Sequence, residues 1–172
     1  MTDEGDSQVY LHRGGELRLS NRVQLEMMRA VLERGARFRF RATGGSMIPF
    51  IKTGDVLTVA SLAESGLCPG QVVACQDSAG RRLVVHRLIK ASRTREEVVI
   101  RGDNCSEVDG AISRKHVLGV VVRIERRGRD RRLGLGPEGR FIAAVSAGGW
   151  LVPAIRWMLL PRRVLRAILR RT

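Results

Sequence analysis

Between Arg37 and Glu125 the chain alternates short apolar runs with turn residues, and this alternation restricts its folding more than any other feature. The runs are Arg37 to Ala42, Val56 to Ala60, Gln71 to Gln76, Leu83 to Lys90, Glu97 to Arg101 and Val117 to Glu125. Each is too short for a stable helix and rich in the β-branched and aromatic residues that suit a pleated surface. Between them stand Thr53-Gly54-Asp55, Cys68-Pro69-Gly70, Ser78-Ala79-Gly80, the polar stretch Ser92 to Arg95, and Gly102 to Gly110. Gly, Pro, Asp and Asn supply the backbone conformations of reversal. Six strands at this spacing predict a mainly β fold with one compact body over 37–125.

The flanks follow different rhythms. In Ser20 to Arg34 the apolar residues Val23, Met27, Ala30 and Val31 recur at helical spacing, with Leu25, Met28 and Leu32 widening the stripe. Ser20 or Asn21 can cap such a helix and Gly35 can end it, so residues 1–36 are expected to be an N-terminal segment with one amphipathic helix. Residues 126–140, RRGRDRRLGLGPEGR, read as a basic Gly/Arg linker. Residues 141–172 read as a helical tail, apolar over Phe141 to Leu160 and amphipathic over RRVLRAILRR. The formal charge of +14 is concentrated there: residues 126–172 hold 12 Arg against 2 acids. Three cysteines, Cys68, Cys75 and Cys105, form no C-x-x-C pair, so they predict neither a disulfide framework nor a zinc site. No metal and no other cofactor is expected.

Chemistry concentrates in three places. In Gly44-Gly45-Ser46-Met47-Ile48-Pro49, leading to Lys52-Thr53-Gly54-Asp55, a serine stands among residues that allow a sharp turn, and the glycines can bring main-chain N–H groups close to a carbonyl oxygen. A serine hydroxyl needs a base to attack at neutral pH. Of the three histidines, His12 lies in the polar N-terminal segment and His116 follows Arg114 and Lys115, whereas His86 stands inside the apolar run Leu83 to Ile89. The third place is Arg101-Gly102-Asp103-Asn104-Cys105-Ser106-Glu107-Val108-Asp109, where a strand end meets a turn bearing carboxylates. Asp-Asn after Gly is ordinary turn chemistry, but either carboxylate can instead take the second N–H of a histidine and fix its tautomer.

The ordered set G-S-M-x-P-x-x-x-x-G-D, a strand with V-H-R-L, and G-D-N-x-x-x-x-D resembles the signal peptidase superfamily over about residues 38 to 124. It is most similar to the archaeal and endoplasmic-reticulum type, which uses His where bacterial signal peptidases and the self-cleaving SOS repressors use Lys. The resemblance implies a compact β-ribbon fold and a serine endopeptidase working through an acyl-enzyme. It makes Ser46 the nucleophile, His86 the general base and Asp109 the orienting acid, with Asp103 supporting the loop or sharing the orienting role. Gly45 and Ser46 would supply main-chain oxyanion donors, and Met47, Pro49, Gly54, Asp55 and Gly102 would support the motif. One departure is Gly44, where many members carry a serine that helps bind the oxyanion. Lys90, four residues along the strand from His86, lies ~13 Å away and makes a poor partner for Ser46.

The expected partners are a peptide or protein substrate and an anionic membrane surface met by the C-terminal tail. Phe141 to Leu160 has the ~20 residues that a span requires. It also contains Gly148, Gly149, Pro153 and Arg156 and has arginines on both flanks, which favours a tail lying on the cytoplasmic face with Trp150 and Trp157 at the interface. The polar N-terminus shows no export signal, so a cytoplasmic or cytoplasmic-membrane-face location is expected. With aromatic residues at 4%, no stacking platform for nucleic acid is expected. Two other functions are compatible with the motifs: a switch that cleaves its own chain, and an inactive β module that docks on a membrane or protein.

Overall fold

The structure is a computed structural model that describes residues 20–77, 80, 82–92, 96–105, 110–148 and 153. The fold is mainly β: one antiparallel eight-stranded sheet with a few short helices, and no closed barrel. The strands are β1 (Phe38–Arg41), β2 (Val56–Ser61), β3 (Val72–Gln76), β4 (Leu83–Ala91), β5 (Glu97–Arg101), β6 (Ala111–Ser113), β7 (Val117–Arg126) and β8 (Arg129–Arg131). Their order is β1-β2-β7-β3-β4-β5-β6, with β8 also paired to β7. The helices are α1 (Asn21–Glu33), α2 (Leu62–Ser65) and α3 (Glu138–Ala147).

All six expected strands are present, within a residue or two at their ends. The sequence reading overlooked β6 and β8. β6 is only Ala-Ile-Ser, and β8 is Arg-Asp-Arg with every residue exposed. Neither carries an apolar pattern of its own. They are strands because β5 and β7 offer them a ladder, with Val98 opposite Ile112 and Glu125 opposite Asp130.

The sheet packs on both faces. On β3, Val72 and Ala74 join the core formed with Met28, Leu32, Phe38, Leu57, Val59, Val121 and Ile124. The alternate residues Val73 and Cys75 join a second core with Leu88, Val98, Ile100, Ile112, Val117 and Val120. A strand covered on both sides has no polar face, which explains its unbroken apolar sequence. At Gly119 of β7 an added Cβ would stand 2.3 Å from the Ala60 carbonyl oxygen, so this strand contact requires glycine.

Helix α1 starts as expected, with the Ser20 hydroxyl accepting from the Val23 N–H. It ends in a Schellman turn: Gly35, at φ 73°, donates to Leu32 O, and Ala36 donates to Val31 O. The buried face differs from the expected stripe. Leu25, Met28 and Leu32 are buried, whereas Val23 and Met27 are exposed at 37% and 42%. Leu25, Met28 and Leu32, at i, i+3 and i+7, share the one helix face that is turned toward the sheet.

The stretch 126–140, expected to be a linker, instead folds against the body. It contains the β7–β8 hairpin and the first turn of α3, and its glycines mark close contacts. Gly139 and Gly70 approach so closely that a Cβ on Gly139 would stand 2.6 Å from Gly70 O. Helix α3 is also tied at its C-terminal end, where buried Arg101 donates to Ser146 O at 2.6 Å. The expected tail beyond α3 lies outside the described residues except for Gly148 and Pro153. Among the described residues no helix is long and apolar enough to cross a membrane.

Candidate active site

Ser46 stands on the loop between β1 and β2. The loop is closed at its base by two main-chain bonds, Ala42 N–H to Asp55 O at 2.8 Å and Gly54 N–H to Ala42 O at 2.9 Å. Its limbs are joined by the Thr53 hydroxyl, which donates to Gly44 O at 2.8 Å. Met47 and Ile51 are buried in the first core and hold the loop down like two pins. Next to buried Met47, half-buried Ser46 faces a cleft. The loop contains a cis Ile48–Pro49 peptide and passes through Gly44 at φ 85°, a conformation that L side chains rarely adopt. The backbone therefore favours the glycine found at this position.

Asp55 anchors the far limb. Its carboxylate accepts from Arg126 Nε at 2.8 Å and Nη2 at 2.7 Å, and from the Lys52 N–H at 2.8 Å. Arg126 also donates to Phe50 O at 3.0 Å. Burial pushes the Asp55 carboxyl up, but the bonds from Arg126 and Lys52 outweigh it and hold the group below its ordinary range.

His86 lies on β4, opposite Val73 of β3, and is buried at 7% exposure. It lines the same ≈ 140 Å³ cleft as Ser46, with Phe40, Met47, Leu57 and Val85 among the other walls. Asn21 and Gln24 of α1 close one side. The two residues singled out from separate motifs thus share one cavity. The main-chain N–H groups of Gly45 and Ser46 have no hydrogen-bond partner among the described residues, so they are available as donors. His116 is half-buried at the end of a 3-10 turn and does not line the cleft; Lys90 is exposed on β4; His12 lies outside the described residues.

Arg87, which follows His86, connects the third motif to the first. It is 0% exposed and is the bulkiest fully buried side chain among the described residues. Its Nε and Nη2 donate to the two oxygens of Asp103 at 2.8 and 2.7 Å, and its Nη1 donates to Gly70 O at 2.7 Å and Gly134 O at 2.8 Å. The Phe50 ring centroid lies 5.4 Å from the guanidinium carbon. Asp103 begins a turn that packs directly on Ser46: Asn104 N–H donates to Ser46 O at 2.7 Å, and the Asn104 amide donates to Gly45 O at 3.3 Å. A Cβ at Gly102 would stand 2.6 Å from the Cys105 sulfur and 3.1 Å from the Ser46 Cβ, so only glycine fits between them.

Both oxygens of Asp103 are engaged by Arg87, so this carboxylate ties the turn behind Ser46 to β4. Burial pushes its carboxyl up, opposed by the Arg87 hydrogen bonds and, more weakly, by the nearby charge of His86. Asp109 lies outside the described residues. No group of three or more His, Cys, Asp or Glu able to hold a metal occurs among the described residues. The sequence reading missed the tasks of Arg87, Arg126 and Asn104. Arg87 did leave a signal, since an arginine within an apolar strand run has to find buried partners.

Compared with known proteins, the chain matches no family model and no curated sequence.

Proposed function

We propose that this chain is a serine endopeptidase of signal-peptidase type. The observation that carries the proposal is the shared cleft of Ser46 and His86, backed by the Gly102–Cys105 turn. Ser46 Oγ attacks the scissile carbonyl carbon while His86 takes its proton. The oxyanion is held by the N–H groups of Gly45 and Ser46. The tetrahedral intermediate collapses as His86 returns the proton to the leaving amine, and water, activated by the same histidine, then releases the acyl group. Asp109 is assigned the N–H of His86 that faces away from the serine. Substrate enters as an extended strand: β1 is an edge of the sheet, and the cleft runs along Phe40 to Gly44 toward Ser46.

A panel of peptides tests this proposal. Ser46→Ala and His86→Ala should each abolish cleavage while leaving circular dichroism unchanged, and the double variant should lose little more than either single one. Cleavage by the Ser46→Ala protein at the wild-type rate would refute the assignment.

One observation favours a second substrate, the chain itself. Asn21, the first residue of α1, lines the cleft, so the N-terminal end of that helix borders Ser46 and His86. Incubating the purified protein alone and following its intact mass separates the two readings. A time-dependent loss of N-terminal mass that Ser46→Ala prevents supports self-cleavage; an unchanged mass leaves peptides in trans as the substrate.

A further inference from the structure

A second concavity of ≈ 620 Å³ is lined from β1, β2, β7 and β8 and the residues flanking β1 and β8, with Arg37, Arg39, Arg123, Arg131 and Arg132 on its walls. Three of these arginines already hold carboxylates. Arg39 donates to Glu125 at 2.8 Å, Arg123 meets Glu125 at 2.9 Å and Asp130 at 2.8 Å, and Arg37 pairs with Glu64. Arg131 and Arg132 are exposed, and their side chains have no acidic partner among the described residues. The groove therefore repeats one chemistry, guanidinium to carboxylate, and leaves two guanidinium positions unfilled.

We propose that this groove binds an acidic segment of a partner polypeptide. Guanidinium forks match carboxylates in geometry as well as charge, and the volume accommodates several side chains. A flat bilayer meets a concave surface poorly. The lining contains no aromatic ring among the described residues on which a base could stack. Val122 and Leu135 give the groove an apolar strip suited to the stems of glutamate side chains. β1 supplies Arg39 to this groove and the next residue, Phe40, to the cleft, so the two concavities lie on opposite faces of that strand. The inference stands whether or not Ser46 is catalytic.

The test is fluorescence anisotropy on the full-length chain with a labelled glutamate-rich peptide and its glutamine counterpart. The glutamate peptide should bind about tenfold more tightly, and the double variant Arg131→Glu/Arg132→Glu should lose about tenfold in affinity. An equal charge change on exposed arginines at α1, Arg29→Glu within the helix and Arg34→Glu at its C-cap, should cost less than about twofold. Circular dichroism should show both variants folded, since all four side chains are exposed. Equal loss in both variants would reduce the effect to net charge and overturn the proposal. So would undiminished peptide binding by the groove variant, or a groove variant that loses only phosphatidylglycerol vesicles or only a single-stranded oligonucleotide.

Discussion

Arg87 carries more structural consequence than any other described residue. It stands beside the proposed base on β4, and its four hydrogen bonds reach Asp103, Gly70 and Gly134, so one side chain fastens the turn behind Ser46 and the segment before α3 to the same strand. Breaking a buried, hydrogen-bonded pair from one side leaves an uncompensated charge, and Asp103→Asn should cost about 3–5 kcal/mol in a urea titration. Arg87→Lys should be nearly as damaging, because a single ammonium cannot serve two carboxylate oxygens and two carbonyls at once. If either variant unfolds at the wild-type midpoint, the pair is not the anchor described here. Gly102→Ala separates position from stability: the added methyl would push on Ser46 and Cys105, so peptide cleavage should fall more than the unfolding midpoint does. Ser46 and His86 were legible as residue types in a meaningful order. The partners of Arg87 were not, because they come from loops distant in sequence that no local pattern connects.

Among the elements, the β7–β8 hairpin shows what a turn demands. Arg126 pairs with Arg129, leaving the two-residue loop Arg127-Gly128 with φ values of 52° and 72°. This is the type I′ geometry, in which Asn-Gly is favoured and an arginine in the left-handed region is penalised. Arg127→Asn should raise stability by about 1 kcal/mol, read as a higher thermal midpoint; an unchanged or lower midpoint would show that the arginine makes a compensating contact. The longer strands were readable because each buries an apolar run. β8, with three polar residues, was not, and its Gly- and Arg-rich surroundings looked like a linker. Composition cannot distinguish a glycine that frees the chain from one such as Gly139 that admits close packing. Helix α1 was readable in extent, since Ser20 and Gly35 mark its ends, but its buried face was set by the shape of the sheet beneath it.

At the scale of the whole molecule, the mainly β architecture follows from the spacing of apolar runs, and the two-sided burial of β3 is what draws distant motifs to one cleft. The Asp55–Arg126 pair joins the serine loop to the end of β7 and gives the fold an acid-sensitive fastening. Because the folded carboxyl titrates below its ordinary value of about 3.9, its contribution is fully present above that pH and is lost as pH falls through the lowered folded value. Stability measured by denaturant between pH 7 and pH 3 should therefore decline with acid, and Asp55→Asn should be less stable at neutral pH and show a shallower decline. A slope identical to wild type would remove Asp55 from that account. The central claim, that Ser46 is a nucleophile activated within the cleft, is tested most directly by treating the full-length chain with a fluorophosphonate and locating the adduct by mass spectrometry. One adduct on Ser46, absent from Ser46→Ala and strongly reduced in folded His86→Ala, is the predicted result; no adduct, an adduct on another residue, or undiminished labelling without His86 would contradict it.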